Sequence, residues 1–165
     1  MTRRPAVAMG RITLQDDGAT CRVILTRGEV SLIDAQDAPL AAQSLWFLNS
    51  GGYAYNGRML LHRLLLSPPA DREVDHINGD RLDNRRANLR VVTRSENSQN
   101  VRAHKRSKSG VRGVWFGAGK WIAGINTGGR RIHLGRFLTL EEAEVAVRAG
   151  RARLMPYSQD AGATP

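Results

Sequence analysis

Residues 72–100, REVDHINGDRLDNRRANLRVVTRSENSQN, are the densest polar stretch of this chain, and their order leaves few ways to fold. Residues 74–77 read as a short strand, and Asn78-Gly79 is a strong turn signal. Residues 80–88 form a polar loop and 89–92 a second strand. Thr93-Arg94-Ser95-Glu96 fits a capping box, in which the Thr93 hydroxyl accepts from the Glu96 amide and the Glu96 carboxylate accepts from the Thr93 amide. A helix is therefore predicted from Arg94, with Asn97 in or near its first turn. The segment spells strand, loop, strand, helix.

Elsewhere the apolar runs are short. The longest, residues 59–66, already contains His62 and Arg63, so no segment is predicted to span a bilayer. The start, MTRRPAVAMG, is basic but lacks the apolar stretch of a secretory signal. With 165 residues the chain holds one ordinary domain or two small ones, and its single cysteine, Cys21, excludes an internal disulfide and a Cys-based zinc site. Lys plus Arg is 25 against 15 Asp plus Glu, and only Lys105, Lys108 and Lys120 are lysines. The net charge of +10 makes a polyanion the default partner. Residues 1–100 carry only +2 of it, whereas 101–136 contain nine basic residues and no acid. A solvated face mixes both signs, so this block is more than a solubility device.

Short β-like runs at 11–14, 21–25 and 29–33, a short helix at 34–43 limited by Pro39, and a hairpin around Asn49–Gly52 make residues 1–57 a β-rich scaffold with no catalytic constellation. Residues 58–66 read as an apolar helix stopped by Ser67-Pro68-Pro69. Residues 102–110 read as a basic linker. Three strands follow, 111–116, 120–126 and 130–136, then a helix of about 140–154 opened by the capping box Thr139–Glu142. Its small-residue face (Ala143, Ala146, Val147, Gly150) suits close packing on a sheet, and the tail from Pro156 is expected to fray.

Phosphodiester hydrolysis needs a base for water and a cation for the leaving oxygen. A carboxylate and an amide oxygen are hard ligands suited to Mg²⁺ or Mn²⁺, with waters and a DNA phosphate completing the shell. Asp75 and Asn97 can supply these oxygens, His76 can be the base, and Asn88 can fix the loop or orient the histidine. An Asp-His pair followed by Asn-Gly is, alone, more often a capped turn. Asn88, Asn97 and the strand-loop-strand-helix order together tip the balance toward catalysis.

These residues, VDHINGDRLDNRRANLRVVTRSENSQN, resemble the HNH endonuclease motif, in the phage and intron-type branch where asparagine replaces the last histidine. The resemblance covers about residues 58–101. It implies a ββα-metal fold docking in the DNA minor groove, with His76 as general base, Asn88 as the middle motif residue, and Asn97 with Asp75 as metal ligands. His62 reads better as a partly buried, satisfied histidine than as a support for the active-site hairpin. Asp80, Asp83 and Asn84 read as turn chemistry, and His104 as an added phosphate-attracting group.

The segment GVRGVWFGAGKWIAGINTGGRRIHLGRFLTLEEAEVAVRAGRARL resembles the AP2 DNA-binding domain, which implies a three-stranded antiparallel sheet on one helix, reading the major groove through its outer face. Alternation puts Trp121, Ala123 and Ile125 on one face of the second strand, and Ile132 and Leu134 toward the helix on the third. Arg112, Lys120, Arg131 and Arg136 are the best contact candidates, with His133 beside them and Arg102, Lys105, Arg106 and Lys108 from the linker. Trp115 and Trp121 are expected in the core.

The sequence thus predicts an α+β chain: a β-rich part (1–57), an HNH ββα-metal module (58–101), a basic linker (102–110), an AP2-like domain (111–155) and a tail (156–165). The expected function is a metal-dependent endonuclease that nicks or cuts double-stranded DNA with one Mg²⁺ or Mn²⁺ per site. It is expected in the cytoplasm, phage-encoded or bacterial, as a monomer with a dimer as the alternative, and with no membrane partner. The alternative is a catalytically inactive DNA-binding regulator on a nuclease scaffold. A zinc-stabilised module lacks ligands, since one cysteine and the scattered His62, His76, His104 and His133 cannot build a closed site.

Overall fold

A computed structural model of the chain describes residues 11–100 and 107–158, so Arg102, His104, Lys105 and Arg106 lie outside the described residues. Helices and strands are mixed, and the chain divides into two compact units, the first ending at Arg94 and the second starting at Ser95.

The first unit opens with an antiparallel meander of β1 (Ile12–Leu14), β2 (Thr20–Ile24) and β3 (Val30–Asp34). Its first turn is held by Asp17, whose Oδ1 accepts from the Ala19 and Thr20 amides. The helix predicted at 34–43 is shorter: a 3₁₀ turn, Ala35–Asp37, then α1 (Ala38–Ala41) with Pro39 in its first turn. Asp34 precedes it without capping, because its carboxylate accepts from the Arg86 amide, far along the chain. A two-strand hairpin, β4 (Phe47–Leu48) and β5 (Ala54–Tyr55), follows. Next comes α2 (Leu61–Leu66), which starts late because Asn56 Oδ1 draws the Arg58 and Met59 amides into a turn. It ends at Ser67, which turns left-handed (φ 44°) before Pro68.

Alternating residues of the meander (Cys21, Val23, Leu25, Ile33) meet Trp46, Ala54, Leu61 and Leu65 in one core. Trp46 is its largest member, and its indole N–H donates to the Ala41 carbonyl at 2.8 Å. Replacing it by alanine would cost about 3–5 kcal/mol. The unit closes with β6 (Glu73–His76) antiparallel to β7 (Leu89–Val92).

Helix α3 (Arg94–Asn97) starts on the last residue of the first unit and continues into a 3₁₀ turn, Ser98–Asn100, in the second. Its sheet is β8 (Val114–Gly117), β9 (Lys120–Thr127) and β10 (Arg130–Phe137), antiparallel in the order 10-9-8 and packed on α4 (Leu140–Leu154). The capping box that opens α4 is complete: Thr139 Oγ1 accepts from the Glu142 amide and Glu142 Oε2 accepts from the Thr139 amide. Ala143, Val147 and Gly150 are buried under the sheet. The approach is so close that a Cβ on Gly150 would lie 2.6 Å from Leu134 Cδ1. Residues 156–158 are not frayed: Ser158 is buried and the Tyr157 amide donates to Gln99 Oε1.

Candidate active site

The last two residues of β6 carry the Asp-His pair. Adjacent strand residues point to opposite faces, so Asp75 and His76 part company. Both are buried, at 7% and 4% exposure. His76 faces inward against His62 of α2, with ring centroids 5.0 Å apart and the planes nearly perpendicular. Tyr53 stands against both imidazoles. His62 is thus buried, and its ring packs on that of His76 in the hairpin.

His76 Nε2 lies 3.1 Å from Asn84 Oδ1. A chain of hydrogen bonds decides which atom donates. Ser31 Oγ donates to the Leu82 carbonyl and therefore accepts from Asn84 Nδ2 at 2.7 Å. That fixes Asn84 with Oδ1 toward the imidazole, so Nε2 carries the hydrogen and Nδ1 the lone pair. Burial holds the imidazole below its ordinary pKa, outweighing its hydrogen bond to Asn84 Oδ1 and the nearby carboxylates of Asp75, Asp80 and Asp83. A neutral ring at neutral pH is what a proton acceptor requires.

Asn84 owes its position to the first sheet. Leu32 of β3 exchanges backbone hydrogen bonds with the loop, its amide donating to the Leu82 carbonyl and its carbonyl accepting from the Asn84 amide, each at 2.8 Å. In the sequence, residues 1–57 read as a scaffold without chemistry. The described part of them holds the histidine's orienting partner.

Asn88 is engaged with the loop: Nδ2 donates to the Asp83 carbonyl and Oδ1 accepts from the Asn78 amide. The Asx-rich loop is mostly turn chemistry. Asp80 accepts from the Leu82 amide. Asp83 is gripped by Arg85, which with Asn78 holds its carboxyl below the usual carboxylate range. Asn84 is the exception, and sequence reasoning missed it because its partner Ser31 lies 53 positions away.

Asp75 pairs with Arg90, the residue directly across the hairpin. Asn97, expected as the second metal ligand, lies on α3 in the second unit. Among the described residues no group of three or more His, Cys, Asp or Glu could hold a metal. A Mg²⁺-type cation takes one or two protein oxygens and completes its shell with waters and a substrate phosphate. By donor type, the Asp75 carboxylate in the first unit and the Asn97 amide oxygen in the second are hard oxygens of this kind.

Residues 67–99 match the HNH endonuclease family model. That match brackets the β6–loop–β7–α3 segment and includes Asp75, His76, Asn84, Asn88 and Asn97. The chain is also 31% identical over 97 residues to an uncharacterised HNH endonuclease of Acanthamoeba polyphaga mimivirus. That alignment covers 53% of this chain and 51% of the viral protein, so the chain spans about half the length of the relative it matches. No solved structure matches the chain significantly.

In the second unit, the register decides which side chains share the outer face of the sheet. Trp121, Ala123, Ile125, Ile132 and Leu134 pack toward α4 as alternation predicts. Trp115 does not. It pairs with Ile122 on the outer face, its ring close over Gly124 and under the Arg131 guanidinium, 4.2 Å from centroid to Cζ. Strict alternation would turn Arg136 inward with Leu134. A bulge between His133 and Gly135 resets the phase, so Arg136 pairs with Ile122 and joins Arg131 and His133 outside. Lys108, Lys120, Arg131, His133 and Arg136 are exposed. Arg112 is different: its guanidinium donates to the Ser98 and Gln99 carbonyls.

Among the described residues no helix is long and apolar enough to cross a membrane.

Proposed function

We propose that the chain is a metal-dependent HNH DNA endonuclease that hydrolyses phosphodiester bonds in duplex DNA, addressed to its substrate by an AP2-like sheet. The observation that carries this reading is the Ser31–Asn84–His76 chain, whose last two members lie inside the matched segment. It sets one tautomer of a buried, neutral histidine, and a scaffold kept only for binding has no need of that.

In this reading the residues divide the work. His76 Nδ1 takes the proton from the attacking water, and the imidazolium that forms is stabilised through Nε2–H by Asn84. Asn84 is a positioning residue, and Asn88 keeps the loop in the shape that presents it. Asp75 and Asn97 would hold one Mg²⁺ or Mn²⁺, which when bound stabilises charge on the leaving oxygen. The cut leaves 5′-phosphate and 3′-hydroxyl ends. On the outer sheet face Arg131 is suited to guanine and Lys120 and Arg136 to phosphate, while the basic residues of 102–108 add sequence-independent attraction.

Supercoiled plasmid carrying a verified binding site tests the reading, with wild type and His76→Ala compared in Mg²⁺ and in EDTA. Nicking or linearisation by wild type in Mg²⁺ alone is the expected result. No cutting by wild type, with binding intact, favours the inactive regulator. Equal cutting by His76→Ala removes His76 as the base.

A further inference from the structure

Between residues 72 and 90, Arg72, Arg85, Arg86 and Arg90 each lie within ion-pair reach of an aspartate. Arg81 is exposed and pairs with no carboxylate among the described residues. Its guanidinium lies over the Tyr53 ring, Cζ 4.8 Å from the centroid, and Nη1 donates to the Gly51 carbonyl. A ring face and a carbonyl hold the cation in place without cancelling its charge. Nε and Nη2 form the edge with which Arg85 grips Asp83 and Arg86 grips Asp37. In Arg81 that edge meets no partner among the described residues. It is the edge that takes two oxygens of a carboxylate or phosphate side by side.

The turn between β4 and β5 builds the seat. Asn49 closes it: its amide donates to the Tyr53 carbonyl, and its Oδ1 accepts from the Tyr53 amide. Gly52 turns left-handed at φ 79°, and a Cβ on Gly51 would lie 3.2 Å from Tyr53 Cδ2, so small residues let the ring lie against the turn. The ring also neighbours His62 and His76, at 5.3 and 5.9 Å between centroids. One aromatic ring thus separates an open guanidinium from the candidate base.

We propose that Arg81 binds a DNA phosphate flanking the scissile one, with Tyr53 and Gly51 as the seat that positions it, an assignment that rests on the nuclease reading above. A flanking phosphate fits better than the scissile one, because the Tyr53 ring stands between the guanidinium and His76. Binding there registers the strand against the base. It costs little ordering, since the side chain is already held. A phosphate contact of this kind positions the duplex and carries no sequence preference.

The test compares the full chain as wild type, Arg81→Gln and Arg81→Lys, with Arg22→Gln, from an exposed position of β2, as the charge control. In Arg81→Gln the slope of log K against log salt for duplex binding is expected to fall by about one, while Arg81→Lys and Arg22→Gln keep it. KM for cutting in Mg²⁺ should rise about tenfold in Arg81→Gln with kcat unchanged, the mark of binding shared by ground and transition states. A methylphosphonate placed at each phosphate around the cut in turn then finds the partner. At one flanking position it should weaken wild type about tenfold and Arg81→Gln no further. Slope and KM unchanged in Arg81→Gln, or altered equally in Arg81→Lys, overturn the proposal and leave Arg81 a brace of the turn. So does a methylphosphonate effect that adds fully to that of Arg81→Gln at every position. A wild type that binds duplex in Mg²⁺ without cutting overturns the nuclease reading and the placement beside a scissile phosphate, while the slope still decides the phosphate contact. Should Arg81→Gln fail to fold, the Arg81 Nε–H NMR signal of wild type decides. It should shift when duplex is added in EDTA, and an unmoved signal with duplex bound overturns the proposal.

Discussion

Asn84 decides the chemistry open to His76, although nothing about it stands out among the Asx residues of its loop. Its amide reads two partners at once, donating to Ser31 Oγ and accepting from His76 Nε2–H. Asn84→Ala would leave both buried groups without that partner, at a cost of about 1–3 kcal/mol in stability. It would also free the imidazole to choose either tautomer and tilt, and misplacement of a base on that scale lowers kcat by about a hundredfold. Asn84→Ala should therefore keep plasmid binding while single-turnover cutting collapses. Unchanged cutting by a folded Asn84→Ala would show that the histidine is oriented by something else. The placement of Asp75 and His76 on one strand and of Asn88 at the end of the loop was legible because they fall at fixed offsets in one strand-loop-strand segment. Asn84 was not, because its role arises from β3, and a local pattern carries no record of contacts so far along the chain.

The sharpest local signal was read correctly, and features set by tertiary contacts were not. The capping box at Thr139 closes as the four-residue spacing requires, and α4 runs over the expected residues. The helix predicted at 34–43 shrank to a 3₁₀ turn and a single short helix, because Asp34 is drawn to the Arg86 amide instead of capping. In β10, alternation describes the strand only as far as His133. Beyond it the bulge, with Gly135 at φ 145°, restores an outward Arg136, and a Cβ there would lie 2.8 Å from the Phe137 ring. Gly135→Val should cost the second unit about 1–3 kcal/mol from backbone strain. It should also weaken duplex binding by disturbing the row of Arg131, His133 and Arg136. A thermal melt of the full chain and a duplex titration at fixed salt check both. Unaltered binding with a lowered melting temperature would place DNA contact elsewhere than this face. Trp115 follows the same logic: an aromatic residue in a strand suggests core, yet its pairing with Ile122 places it outside, where it supports Arg131.

At the scale of the molecule, buried histidine sets the response to acid and exposed arginine the response to salt. Burial, aided by His76 and Arg63, lowers the His62 pKa from 6.5 to about 4. Between those values the unfolded chain binds a proton that the folded chain refuses, so stability rises with pH across that window. The contribution is full above about pH 6.5 and is lost progressively as pH falls toward about 4, a change on the order of 3 kcal/mol. Urea midpoints for wild type should fall across this window, and His62→Phe, which keeps a ring between Tyr53 and His76, should flatten the fall. A parallel pH dependence in the variant would remove His62 as its source. Salt acts from the outside, through the surface charge. The chain carries +10, yet the acids of residues 1–100 nearly balance their bases, and the excess lies where Lys108, Lys120, Arg130, Arg131 and Arg136 are exposed. Each such side chain on a phosphate releases condensed counterions, so log K for duplex binding should fall linearly with log salt. Lys120→Ala should reduce that slope by about one and weaken all sequences alike, as a phosphate contact does. Arg131→Ala should instead flatten the preference among sequences, because a guanidinium stacked on Trp115 is held ready for a guanine edge. Titrations of both variants against a preferred and an unrelated duplex at several salt concentrations separate the two roles. A loss of preference in Lys120→Ala with none in Arg131→Ala would reverse them.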